Sequence, residues 1–485
     1  MRPPVLLAFA CLLLGIQCLT FPRTRFVEDE GWNSDIAMTW MREGRLRMSS
    51  FPADVAGRLD ARPPLLSMAV GETFRVFGPG VLQARLSSML AAIGVVIAAY
   101  FLGMEWGGAW AASVAALLMA CDNFLLITAR SARPEPATTL FSCLGILFYS
   151  ISRRKQSAWW SFLAAVSIGI AINFHPLGIG FALAGGALLL MELRLGIVRS
   201  FRAWAFLLGL AVSIAPYGWW LASDNLHRAG FRATYLMRAA ESSLWHRLAG
   251  EKDRLADFVG LGSQRIPLPF HIPYRLHIAL IVAGALVYLF RKRPRLAGEI
   301  TALLAVNLLW WAFMVNKSSR YITTLAPVLA AVVAMALAWA GKDARWKRAA
   351  IAIGLLFGLS QLAGNAFLLY RYRNADYDAV ARGLRAAIPP GASAYGIITF
   401  YLALNDRTYY SYDRTPFTYA MTNLRPRYLI LYDRVMMHGS GRGEDNFRDL
   451  RNQATDFVRT HATLAARVSN GFYGNLEVFR VDGLQ

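Results

Sequence analysis

The sequence predicts a polytopic α-helical membrane protein with a small C-terminal α/β domain, and three observations carry that prediction. The chain of 485 residues is 56% hydrophobic with a mean hydropathy of +0.37, and it contains repeated apolar runs near the length that spans a bilayer. Its 51 Lys and Arg against 30 Asp and Glu fall mostly in short clusters between those runs. That is the pattern of cytoplasmic membrane flanks, with some attraction to anionic lipid, rather than of a nucleic-acid surface. From about Arg371 the composition changes to that of a soluble domain.

The first apolar stretch, about Pro4 to Phe21, follows Arg2 and lacks a clear cleavage site, so it reads as an uncleaved first span rather than a signal peptide. The carboxylates Glu28, Asp29 and Glu30 come directly after it. Acidic side chains are costly in hydrocarbon, which places this triplet at or outside the membrane surface. Within the external loop 22–78, Asn33–Arg42 reads as a short amphipathic helix in the interface plane. Pro63-Pro64 then starts a helical stretch, Leu65–Phe77.

Ten further spans are expected at about 81–102, 109–121, 137–151, 158–172, 177–191, 203–221, 276–290, 297–315, 322–340 and 349–370. The clusters Arg153-Arg154-Lys155 and Arg291-Lys292-Arg293, and the group Lys342, Arg345, Lys347 and Arg348, mark cytoplasmic ends. About eleven spans with these flanks put the N-terminus inside and the C-terminus outside. The loops 122–136 and 222–275 are then external with loop 22–78, and surface helices in 222–275 are expected to cover an external site. The four cysteines, Cys11, Cys18, Cys121 and Cys143, lie in or beside expected spans and cannot frame external disulfides.

Residues 1–370 form the membrane domain and 371–485 the soluble one. In the latter, Tyr377–Ile388 has helical spacing, Pro389-Pro390-Gly391 breaks it, and Ala394–Leu402 and Arg427–Leu431 suit buried strands. Phe447–His461 reads as a second helix and Leu476–Val481 as a closing strand. Such a domain is large enough for its own core.

This topology gathers Asp29, Glu30, Arg62, Arg130, Arg133, Glu135, Lys317, Arg320 and Tyr321 on one face of the membrane, at span ends. Carboxylates beside several cations can bind a phosphate while positioning a base, and the bilayer supplies a low-dielectric wall that strengthens both effects. A lipid phosphate suits that geometry. The plainer readings are a solvated loop for Asp29-Glu30, snorkelling for Arg130 and Arg133, and span anchors for Lys317 and Arg320. Among the external histidines, His175, His227, His246, His271 and His277, no pair has metal-ligand spacing, so a divalent metal is possible but not indicated, and no cofactor is expected.

One ordered set of motifs resembles a known group. It runs from Asp29-Glu30 after span one through Arg62-Pro63-Pro64-Leu65, Phe77-Gly78, Arg85 and Arg130…Arg133-Pro134-Glu135 to Lys317…Arg320-Tyr321…Pro327. In that order it is similar to bacterial glycosyltransferases of the GT-C superfamily. More narrowly it resembles the protein mannosyltransferase and lipid A aminoarabinose transferase group, glycosyltransferase family 39 and its relatives. The resemblance covers roughly residues 1–370, and the soluble tail fits the group's external C-terminal domain.

The resemblance implies a GT-C fold in a bacterial-type inner membrane. It also implies inverting transfer of a sugar from a polyprenyl-phosphate carrier to an acceptor hydroxyl on a lipid, glycan or protein, at the outer face. Asp29 matches the family's catalytic acidic position and is the expected base, and Glu30 would orient or bind the acceptor. Arg62, Arg130, Arg133, Lys317, Arg320 and Tyr321 are expected on the carrier phosphate, with Arg62 standing where relatives often carry Lys. Glu135 stands where relatives usually place Asp, as a site-organising carboxylate. A transporter or flippase of lipid-linked sugar is the alternative; span interiors nearly free of charge and the lack of a repeat argue against it. A non-catalytic membrane protein whose tail binds a partner is a third reading.

Overall fold

The computed structural model describes residues 2–19, 26–51, 63–223, 276–314, 319–412, 415–432 and 452–482, with isolated positions between 228 and 252. Over their described residues, the eleven stretches expected to span are largely helical. In chain order the helices are α1 (Pro3–Leu19), α2 (Glu28–Glu43), α3 (Leu65–Phe77), α4 (Val81–Gly107), α5 (Ala109–Cys121), α6 (Asn123–Ala129) and α7 (Glu135–Lys155). They continue as α8 (Ala158–Phe174), α9 (Gly178–Leu193), α10 (Phe201–Ser223), α11 (Leu276–Lys292), α12 (Pro294–Phe313), α13 (Ala326–Ala340) and α14 (Ala344–Arg371).

Among the described residues, α4, α10, α12 and α14 are long and apolar enough to cross a membrane, and α5 with α6 adds a fifth if the bent pair is one span. The helices α1, α8, α9 and α13 are shorter and apolar. Large apolar side chains such as Leu12 on α1, Leu207 and Leu208 on α10, and Leu355 and Leu359 on α14 face outward, as a multi-pass fold in lipid requires. The helix α4 is the most enclosed of the long ones.

A loop was expected from residue 122, but the chain bends by 57° there and continues as α6. Asp122 makes the break tolerable by accepting the Leu125 N–H at 2.7 Å as an N-cap. Asn123 donates to Asn365 of α14 (2.8 Å), Asn365 donates to Gln17 of α1 (2.8 Å), and Gln17 donates to the Ala120 carbonyl (2.9 Å). These amides satisfy one another inside the bundle, where a lone polar group is costly. The bend thereby fixes the direction in which residues 130–135 leave the bundle.

After α14 comes α15 (Tyr377–Ala387) and a five-stranded sheet in the order β2-β1-β3-β5-β4. Its strands are β1 (Ser393–Gly396), β2 (Thr408–Ser411), β3 (Tyr428–Tyr432), β4 (Ala462–Asn470) and β5 (Gly474–Val481), with a helix at 452–461 before β4. The strand β1 runs parallel to both neighbours, and β5 is antiparallel to β3 and β4. The expected strand Ala394–Leu402 stops at Gly396, and the chain turns into a 3-10 helix at Ile398–Phe400.

One apolar core passes from the membrane helices into this domain. Phe26, Ala37 and Met38 around α2, Val70 and Phe74 of α3, and Ala84 of α4 pack with Tyr377, Val380, Leu384, Ile398, Phe400 and Tyr473. A smaller core on the opposite sheet face holds Tyr395, Phe417, Leu429 and Val458. Each such large side chain contributes about 1.5–3 kcal/mol by leaving water, so the domain is fastened to α2 rather than tethered beside it.

Candidate functional site

The carboxylate triplet lies on the first turn of α2, which begins five residues before the expected helix. Acidic residues suit that position, because the unpaired amides of a helix start carry partial positive charge. Residues 33–39 are mostly buried against protein, so α2 is enclosed and does not lie as a surface helix in the interface plane. Asn33, Asp35 and Thr39 find protein partners, which an interfacial helix would leave to water.

Glu30 has no exposed surface, and its carboxylate is fully committed. Arg85 of α4 donates to its two oxygens at 2.7 and 3.0 Å, the Ala132 amide donates at 2.9 Å and the Val27 amide at 3.1 Å. Asn33, one turn on, donates to the Ala132 carbonyl at 2.8 Å. These bonds lock the start of α2 to α4 and to the turn after α6.

That turn presents Arg133. Ser88 of α4 donates to its carbonyl (2.8 Å) and accepts its amide (3.1 Å), fixing the backbone. The guanidinium donates through Nε and a terminal nitrogen to Glu135, at 2.7–3.1 Å, and its other terminal nitrogen pairs with Asp29. Glu135 is fully enclosed, Arg133 is 12% exposed and Asp29 is 37% exposed. Burial pulls the Arg133 pKa down, but Glu135 and then Asp29 outweigh it and hold the group above its usual range. The result is an ordered row, Glu135–Arg133–Asp29, with only its last carboxylate open to solvent.

Arg130 is nearly enclosed behind this row, and burial together with Arg85 pulls its pKa down to about 10. Tyr321, in the 3-10 helix Ser319–Thr324, stands with its ring 5.4 Å from that of His175 at the end of α8. Arg320 is half-buried in the same 3-10 turn. Arg62 and Lys317 lie outside the described residues, as do most of loop 222–275 and His227, His246 and His271. His277 is on α11, where its Nε2 meets the Ser360 hydroxyl at 2.8 Å.

Asp29, Glu30, Arg130, Arg133, Glu135 and Tyr321 are thus brought to one end of the bundle, the end that carries the α/β domain. Three contributors were missed. Arg85 stands in the ordered motif set without a partner, although a cation just inside an apolar run signals a buried carboxylate nearby. His175 reads from the sequence only as a candidate metal ligand. Asp35 gave no signal at all: it is buried and accepts the amides and hydroxyls of Ser49 and Ser50 at 2.5–3.0 Å. Burial pushes the Asp35 carboxyl above its ordinary range, against the pull of those bonds.

Residues 61–220 match a protein family described as dolichyl-phosphate-mannose-protein mannosyltransferase. A comparison with the curated proteins gives no match. Among solved structures, the chain is similar to ArnT from Cupriavidus metallidurans, both in the apo state and bound to undecaprenyl phosphate. The TM-score is 0.69 at 14% identity, over 99% of this chain and 98% of that one. It is also similar to the Archaeoglobus fulgidus oligosaccharyltransferase, with a TM-score of 0.55 and 13% identity, over 89% of this chain and 69% of that one. The resemblance to GT-C glycosyltransferases is borne out by the family match and by a fold shared through the C-terminal domain.

Proposed function

We propose that the protein is an inverting glycosyltransferase that moves a sugar from a polyprenyl-phosphate carrier to an acceptor hydroxyl, on the outer face of a bacterial-type inner membrane. The observation that carries this reading is the half-exposed Asp29 held in a fixed pose by Arg133, itself anchored by an enclosed Glu135. The fold shared with ArnT, one structure of which is bound to undecaprenyl phosphate, supports a carrier of the same chemical type. The eleven-span topology and the external C-terminal domain belong to the same proposal.

In this mechanism Asp29 takes the proton of the acceptor hydroxyl as its oxygen attacks the anomeric carbon. The bond from that carbon to the phosphate oxygen breaks, and its electron pair leaves on the carrier phosphate. The product has inverted configuration, and no cofactor takes part. Arg133, with Arg62, Arg130, Lys317, Arg320 and Tyr321, is assigned to the phosphate, where cations stabilise the departing charge. A bound phosphate competes with Asp29 for Arg133, which frees the carboxylate to act as a base. Glu135 organises the site. Glu30, with its oxygens committed to Arg85, Ala132 and Val27, holds the helix start and makes no direct acceptor contact.

The test is transfer of label in proteoliposomes, from a panel of polyprenyl-phosphate sugars and from nucleotide sugars as controls. The proposal expects transfer from one or more lipid carriers and none from nucleotide sugars. Labelled lipid crossing the bilayer without transfer would point to a flippase instead.

A further inference from the structure

We propose that the C-terminal α/β domain is a positioning part of the transferase, and that Asp35 is the residue through which it fixes the Asp29 end of α2. This inference rests on the transferase reading for its kinetic consequence, while its structural basis is independent of it.

The basis is where the sheet points. In open α/β sheets the crevice at the carboxyl ends of parallel strands, beside the strand where the order reverses, is the usual ligand position. Here that strand is β1, flanked on both sides by parallel partners β2 and β3. Its carboxyl end runs through Ile397 into the turn Ile398–Phe400, and that turn packs on α2. The protein's own helix occupies this side of the crevice.

The contact is between backbones. A Cβ built on Gly31 would lie 2.5 Å from the Ile398 carbonyl oxygen, so only glycine permits the approach, two residues past Asp29. One turn further on, Asp35 accepts four bonds from Ser49 and Ser50. The Ser50 carbonyl accepts the Ser411 amide of β2 at 3.2 Å, and the Ser49 hydroxyl meets that of Tyr401 at 3.0 Å. Tyr473 accepts the Phe26 amide at 2.7 Å just before α2, and Arg42 donates to the Asn405 carbonyl at 2.9 Å at its far end. The domain therefore holds α2 at its start, middle and end.

The opposite side of α2 is held by Arg85, Ala132 and Arg133. A helix gripped from both sides keeps its first turn still, and a shift of about 1 Å at a reacting group can cost about 100-fold in rate. Asp35 is about 9 Å along the axis from Asp29, at 1.5 Å per residue. It touches no reacting atom and acts through the helix.

The experiment uses the full-length protein in proteoliposomes, comparing wild type with Asp35→Asn and the milder Tyr401→Phe. Asp35→Asn replaces one accepting oxygen by a donor that faces the Ser49 or Ser50 donors. We expect kcat to fall about 10- to 100-fold, the donor KM and the affinity for undecaprenyl phosphate to stay within about two-fold, and Tyr401→Phe to show a smaller loss in the same direction. Hydrogen exchange of the α2 amides, measured without donor, is expected to speed up in Asp35→Asn while β3 and β5 stay protected. An unchanged kcat, a fall in kcat matched by lost undecaprenyl-phosphate binding, or unchanged α2 exchange would overturn the proposal. If wild type transfers no sugar, the transferase reading fails, and the exchange measurement alone decides whether the domain holds α2.

Discussion

Arg133 pairs with Asp29 across the space between α6–α7 and α2 through one terminal nitrogen, while its Nε and other terminal nitrogen are spent on Glu135. A planar, forked cation is needed for that division, which a lysine ammonium cannot reproduce. Arg133→Lys is therefore expected to lower kcat/KM about 100-fold, despite preserving the charge. Steady-state transfer kinetics of the two proteins check this, and equal kcat/KM would show that charge alone suffices.

The Glu30–Arg85 pair is enclosed on both sides, so removing one partner strands the other. Glu30→Gln is expected to cost about 3–5 kcal/mol, and the double variant Glu30→Gln with Arg85→Met to recover much of that. Thermal unfolding in detergent measures both. A single variant as stable as wild type would contradict the buried pairing.

Gly31 leaves no room for a side chain against the Ile398 carbonyl. Gly31→Val is expected to destabilise the protein by about 1–3 kcal/mol through overpacking and to loosen the C-terminal domain. Limited proteolysis between α14 and α15 should then proceed faster than in wild type.

Tyr473→Phe removes the acceptor of the buried Phe26 amide. The cost expected for a stranded donor is about 1–3 kcal/mol, with faster hydrogen exchange at Phe26 as the local signature.

The membrane helices and the row Asp29, Arg133 and Glu135 were legible because long apolar runs fix where charges can lie. A carboxylate after one span and an Arg-Pro-Glu after another must then meet at the same end. What joins them was less visible. Asp35 and Ser49 are close in sequence, but Tyr401 and Ser411 are some 350 residues away, and no periodicity encodes such a contact. The strand β4 was missed because Ala462–Asn470 lies at the sheet edge with most side chains exposed, so it lacks the apolar run that marked β3. Ile398–Phe400 looked like strand because it is apolar, yet it is apolar in order to bury against α2. The helix α2 was placed five residues late because Glu28, Asp29 and Glu30 read as loop, whereas a helix start accommodates them.

Whether Asp29 is the base of a polyprenyl-phosphate-dependent transfer is decided by Asp29→Asn in proteoliposomes. The substitution keeps size while removing the proton acceptor. Wild type is expected to transfer sugar, and a correctly inserted Asp29→Asn protein to bind undecaprenyl phosphate at least as tightly, since Arg133 loses its competing carboxylate, but to lose at least about 100-fold in kcat. Equal transfer by the two proteins would contradict Asp29 as the base.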